Sequence, residues 1–197
     1  MHRYTIFPGQ QITDSGPISR RFLKMGIRNF RAACRFVHKL PYGYNSNRDD
    51  LMILFTENYG SCTTKHAVIA TLAVELQLAI EKCIGIYAMI EDLVTGTETI
   101  LKKYELPYVP MVHCYLIYED YRVDLSEGNR NGKNGPIEHF LYTEKVIANI
   151  SAKDEYLLYR KALKDNILPR PEMRGIELTR ILKAREDGLA LLRKNIE

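Results

Sequence analysis

Tryptophan is absent from this 197-residue chain and cysteine is scarce. The four cysteines, Cys34, Cys62, Cys83 and Cys114, stand singly with no C-x-x-C pair. That spacing gives neither a disulfide framework nor a dithiol motif, so four thiols in a reducing compartment are expected. Long apolar runs are missing as well. The longest, from Ala67 to Ile80, is interrupted by Thr71, Glu75 and Gln77, and it falls short of the roughly 20 residues needed to cross a bilayer. No membrane span is predicted. The amino terminus shows no apolar h-region followed by a small-residue cleavage site, so a cytoplasmic location is the expectation. No repeat, low-complexity tract or composition shift marks a boundary, and one domain over residues 1–197 is expected.

Acidic residues are missing from one region. Between Ser15 and Arg48 there are eight basic residues and no acid, while the rest of the chain carries 20 basic against 24 acidic. The net charge of +4 is too small to imply a nucleic-acid partner. Apolar residues at spacings of three and four predict an amphipathic helix from about Pro17 to Leu40, capped by Ser15. Its other side would carry Arg20, Lys24, Arg28, Arg31, Arg35 and Lys39 as one stripe. A solvated helix face and a docking surface for an acidic partner are both readings of that stripe.

Further along, Asp50 to Thr56 reads as a short helix. The run from Cys62 to about Glu81, apolar on nearly every side, reads as the helix at the centre of the core. Alternation from Lys82 to Leu93 predicts a strand. Met111 to Tyr118 and Tyr121 to Leu125 predict a hairpin around Glu119 and Asp120, and a further strand is expected between Pro136 and Ile150. Glu127 to Gly135 reads as a mobile Gly/Asn loop. Helical pattern returns from about Ala152 to Ile167, is stopped by Pro169 and Pro171, and resumes from about Met173 to Asn195. The fold class is therefore α+β.

Cys62 follows Gly60-Ser61 and opens the most apolar helix. Unpaired backbone N–H groups and the positive end of the helix dipole favour a thiolate there, and the Cys62 N–H can serve a developing oxyanion. If the hairpin turns on two residues, its pairing sets Tyr115 opposite Asp124 and His113 opposite Ser126. His113 and Asp124 are then diagonal neighbours roughly 7 to 8 Å apart, within reach of an imidazole–carboxylate hydrogen bond. A three-residue loop would put them on opposite faces. Nucleophile, base and orienting acid are the roles these three residue types fill together.

A zinc site from Cys62, His66, His113 and Cys114 is disfavoured, because neighbouring strand residues point to opposite faces. His66 is read as a residue packed under the site, and Cys34, Cys83 and Cys114 as core filler. A second oxyanion donor is left open among Asn45, Asn47, Asn58 and Tyr59.

The sequence Gly60-Ser61-Cys62-Thr63-Thr64-Lys65-His66 at the head of an apolar helix, with His113 in one strand and Asp124 in the next, resembles the transglutaminase-like superfamily of papain-fold cysteine enzymes. The resemblance covers about residues 59–126. It implies Cys62 as nucleophile, His113 as base and Asp124 as third member. It also implies a papain/transglutaminase-like core in which the Cys-bearing helix packs on an antiparallel sheet, over residues of about 40–150 with helices flanking at both ends. The chain departs from the large calcium-dependent animal transglutaminases in having no Trp and no Asp-rich calcium loop, so neither calcium nor any other cofactor is expected. The expected chemistry is acyl transfer from, or hydrolysis of, a peptide, amide or other acyl substrate through a thioester. The alternative is a non-catalytic binding module that docks an acidic partner through the basic N-terminal helix.

Overall fold

The computed structural model describes residues 3–196; Met1, His2 and Glu197 lie outside the described residues. The architecture is α+β. A 3-10 turn at Arg3–Ile6 precedes α1 (Pro17–Lys24), α2 (Phe30–Lys39), α3 (Ile53–Glu57) and α4 (Cys62–Glu75). Then follow β1 (Ile80–Met89), α5 (Thr97–Tyr104), β2 (Val109–Tyr118), β3 (Tyr121–Val123), β4 (Tyr142–Val146), α6 (Ala152–Ala162) and α7 (Leu178–Lys194). The strands form one sheet in the order β3-β2-β1-β4.

The chain folds into two compact units made of interleaved segments. The first comprises the chain up to Cys83, Cys114–Asn129 and Lys145–Ser151; the second comprises Ile84–His113, Arg130–Glu144 and the chain from Ala152 onward. Each has its own core. In the first, Val68, Ile69, Leu72 and Ala73 of α4 cluster with Leu116, Val123 and Leu125 of the hairpin and with Phe22, Phe30 and Leu54. A helix that is apolar all round needs such enclosure. In the second, Ile86, Met89 and Met111 of the strands cluster with Tyr159 and Leu163 and with Ile181 and Ala184 of α7.

Several elements differ from the sequence expectation, each for a local reason. The helix expected over residues 17–40 is two helices. Gly26, at φ 76°, closes α1 as its left-handed residue, with Ile27 N donating to Phe22 O at 3.0 Å. Asn29 then caps α2, its Oδ1 accepting from Arg31 N at 3.0 Å and Ala32 N at 3.4 Å. The apolar period runs on through this break, which hides it. The basic residues consequently form no single helical face, and several are engaged: Arg20 with Asp14 at 3.7 Å, Arg21 over the Phe55 ring and Arg31 with Phe7 O. α4 stops at Glu75 rather than near Glu81, because Gln77 turns left-handed at φ 56° and Leu78 N closes back on Ala73 O at 2.8 Å. α5 forms where the pattern predicts no element, started by the Glu91 carboxylate, which accepts from Gly96 N at 2.9 Å and Glu98 N at 2.7 Å.

α1 shows the same device at longer range. Its N-cap is Gly16, not Ser15, and Glu75 at the far end of α4 accepts from Ile18 N at 2.9 Å and Ser19 N at 2.6 Å. A carboxylate at a helix N-terminus answers both the unpaired N–H groups and the dipole. Glu75→Ala removes both acceptors, and a loss of about 2 kcal/mol is expected, or about 4 to 8 °C in thermal midpoint for a chain of this size. Glu75→Gln keeps an acceptor and should lose less. An unchanged midpoint for the alanine variant would show that the cap contributes nothing.

Candidate active site

α4 begins without a side-chain cap: Ser61 is extended and makes no capping hydrogen bond. The first N–H groups must find acceptors elsewhere. Ahead of the helix, residues 41–43 run beside Gly60 in an isolated parallel bridge, Tyr42↔Gly60. Gly60 N donates to Pro41 O at 3.1 Å, and Gly43 N donates to Gly60 O at 3.3 Å. The approach requires glycine, since a Cβ on Gly60 would lie 2.4 Å from Leu54 Cδ1 and 2.7 Å from Thr64 Oγ1.

The bridge holds Tyr42 beside Cys62. The Tyr42 hydroxyl accepts from the Cys62 N–H and hydrogen-bonds the thiol. Burial above all, and then the charge of a Cys62 thiolate, lifts Tyr42 well above the ordinary tyrosine range, so it stays neutral and able to donate. Of the residues considered as second oxyanion donors, Asn45 and Tyr59 have their donor groups engaged elsewhere. Asn45 uses its amide N–H groups on Glu57 Oε2 at 2.8 Å and Tyr59 O at 2.9 Å, Asn47 Oδ1 accepts from Asp49 N at 3.2 Å, Asn58 is the left-handed end of α3, and the Tyr59 hydroxyl is bonded to Glu57. Tyr42 is not among the residues singled out from the sequence. Its only signal is a large aromatic between Pro41 and Gly43.

His66 lies one turn after Cys62 and is fully buried. Its Nδ1 is 2.6 Å from Cys62 O, and its Nε2 is 2.8 Å from Leu125 N. A carbonyl only accepts and a backbone N–H only donates, so Nδ1 carries the proton and Nε2 offers its lone pair. His66 is therefore neutral. Asp124 Oδ1 lies 3.5 Å from Nε2, but with no proton on that nitrogen the contact is not an ion pair. His66 ties α4 to the segment after β3, which is the packing role expected of it.

Lys65 is the residue the sequence reading overlooked. Its relative exposure is 0%, yet it carries an ammonium. Nζ donates to Leu40 O and Asn129 Oδ1, both at 2.5 Å, and more weakly to His38 O at 3.4 Å. Asn129 Nδ2 also donates to His38 O at 2.9 Å, so the loop expected to be mobile is anchored at this end. Burial pushes Lys65 down to about 8, and the nearby charges of Asp124 and of a Cys62 thiolate partly oppose that fall. Asp124 itself is held in a tight turn, its Oδ1 accepting from Ser126 N and Ser126 Oγ at 2.7 Å each.

The first unit thus brings together Cys62, Tyr42, Lys65, His66 and Asp124. His113 belongs to the second unit, buried in β2 with its ring centroid 6.4 Å from that of Tyr87. The hairpin pairs Leu116↔Val123, Ile117↔Arg122 and Tyr118↔Tyr121 around the two-residue turn at Glu119 and Asp120. This is the expected register, and the ladder ends one residue before Asp124. Glu119 takes the left-handed φ of 53° that two-residue hairpins require at their first turn position.

All four cysteines are buried. Burial raises Cys34 well above the ordinary thiol range and pushes Cys83 up to about 11, and Cys114 Sγ lies 3.6 Å from Thr63 Oγ1. Among the described residues no group of three or more His, Cys, Asp or Glu is placed to hold a metal ion, and no helix is long and apolar enough to cross a membrane.

Lys65 makes stability depend on pH. Unfolding returns it to its ordinary value near 10.5, so between about pH 8 and 10.5 the unfolded chain binds more protons and the fold gains stability as pH rises. The gain should approach roughly 3 kcal/mol at its upper end. Burial of Cys34 and Cys83, whose raised thiols make the fold lose stability above about pH 9, acts the other way in both proteins, so chemical denaturation should show the stability of the wild type rising relative to that of Lys65→Met across the range. Parallel curves for the two proteins would mean that Lys65 titrates alike in both states.

Comparison with protein-family models, with curated proteins and with solved structures finds no match to this chain.

Proposed function

We propose that this protein is a cysteine-dependent enzyme of the cytoplasm that acts on peptide, amide or related acyl groups through a thioester on Cys62. The reading is supported above all by one observation. Cys62 opens a helix that has no side-chain cap, its N–H and thiol are hydrogen-bonded to the Tyr42 hydroxyl, and a buried ammonium lies one turn away. A thiol there faces the positive end of the helix dipole and a donor on each side, the conditions that favour the thiolate and a developing oxyanion.

In the proposed step His113 takes the Cys62 thiol proton, the sulfur attacks the acyl carbon, and the carbonyl oxygen gains charge near the Cys62 N–H. The C–N bond breaks as His113 hands the amine its proton. Water or a second amine then attacks the thioester, gives its proton back to His113 and releases Cys62. Asp124 keeps the imidazole in the required tautomer. His113 is assigned as base through the resemblance to transglutaminase-like enzymes, and the even two-residue hairpin turn is the register that assignment needs. His66 is unavailable for the task, since a neutral imidazole whose two nitrogens are both bonded to backbone cannot exchange protons with the thiol. The papain-like arrangement of helix and sheet is part of this proposal.

Wild-type protein and Cys62→Ala should be compared over glutamine-containing peptides and small amides, following ammonia or amine release. Release should fall by at least about 10³-fold with Cys62→Ala and comparably with His113→Ala, because triad members act as a unit. His66→Gln should instead change stability more than turnover. Release by the wild type that survives Cys62→Ala would remove the thiol from the mechanism.

A further inference from the structure

A cation with no exposed surface, surrounded by neutral oxygens, is costly to keep. Lys65 is such a cation. Its acceptors are two backbone carbonyls at the end of α2 and one side-chain amide. The carbonyls at a helix C-terminus carry the negative end of its dipole, so they suit an ammonium, but they supply no full counter-charge. The charged and titratable groups facing Lys65 are Cys62 on its own helix, Asp124 on the segment after β3, and His38 at the end of α2. The first two act on its charge directly, whereas the His38 ring is turned to Leu125 O at 3.1 Å. Residues three apart on a helix share a face, with Cβ atoms about 5 to 6 Å apart, so Cys62 and Lys65 are neighbours by construction.

We infer that Lys65 is the electrostatic positioning residue of this site, its buried ammonium holding Cys62 as a thiolate and Asp124 as a carboxylate. This rests on the reading of Cys62 as the nucleophile and adds the source of the thiolate's stability. The interaction is reciprocal: a cation that stabilises the thiolate is kept charged by it, so the two groups titrate as a coupled pair rather than singly. Lys65 touches no substrate in this account. It acts through the sulfur, and its charge is what matters, since its stem could be replaced by an apolar chain of similar length.

The test follows iodoacetamide alkylation of the native full-length protein from acid to mildly alkaline pH, with peptide mapping to read each cysteine. Cys62 in the wild type should react well ahead of Cys34 and Cys83 at mildly acid pH, along a shallow curve that reflects coupled titration. Lys65→Met should slow Cys62 about tenfold at mildly acid pH, for loss of one partly screened charge at this distance, and should steepen the curve to a single titration. Asn129→Asp places a carboxylate on the ammonium and should slow Cys62 several-fold while keeping Lys65. It decides the matter if Lys65→Met does not fold. Wild-type rates and curve shape in the folded variants would overturn the role of Lys65 and leave the nucleophile in place. A wild-type Cys62 that reacts no faster than Cys34 and Cys83 would instead overturn the nucleophile itself.

Discussion

A charged amine buried with only neutral oxygens as its hydrogen-bond acceptors is the constraint around which the first unit is organised. Lys65 has no exposed surface, so two distant stretches of chain deliver oxygens to it: the end of α2 at His38 and Leu40, and the loop at Asn129. One turn of helix thereby fixes segments separated by tens of residues in sequence. His66, the next residue, repeats the arrangement with a neutral group, bonding Cys62 O within the helix and Leu125 N across from it. Buried polar groups that are fully satisfied specify a single arrangement better than apolar contacts do.

That rigidity bears on chemistry because the same helical turn begins with Cys62. The sulfur sits where the chain has already committed a bridge at Gly60, a tyrosine hydroxyl at Tyr42 and a cation at Lys65. The proposed role of Cys62 as nucleophile needs surroundings organised before a substrate arrives. Here much of that organisation is also what keeps α4 folded, so the site and the core are not separable parts of this unit.

Much of this was legible in the sequence where a single local pattern decides the outcome. The all-round apolar character of residues after Cys62 placed α4 in the core, and the Glu119-Asp120 turn set the hairpin register to the residue. Patterns failed where the deciding partner is remote or where two signals compete. Gly26 and Asn29 are ordinary stop and start residues, but an uninterrupted apolar period ran over them. Glu75 and Glu91 start helices from outside those helices, which no window of sequence reveals. Lys65 and Tyr42 were missed for the same reason. A lysine in an apolar helix reads as a residue that reaches for solvent, and a tyrosine between proline and glycine reads as turn, until the partners 25 and 64 residues from Lys65 are brought to it.

In the proposed reaction an acyl group resides on the sulfur of Cys62 during turnover. This step is tested most directly by intact-protein and peptide mass spectrometry after brief exposure to an activated acyl ester, followed by hydroxylamine. A single acyl adduct located on Cys62 and discharged by hydroxylamine is the predicted result. Acyl mass spread over lysines or over the other cysteines, with Cys62 unmodified, would contradict it.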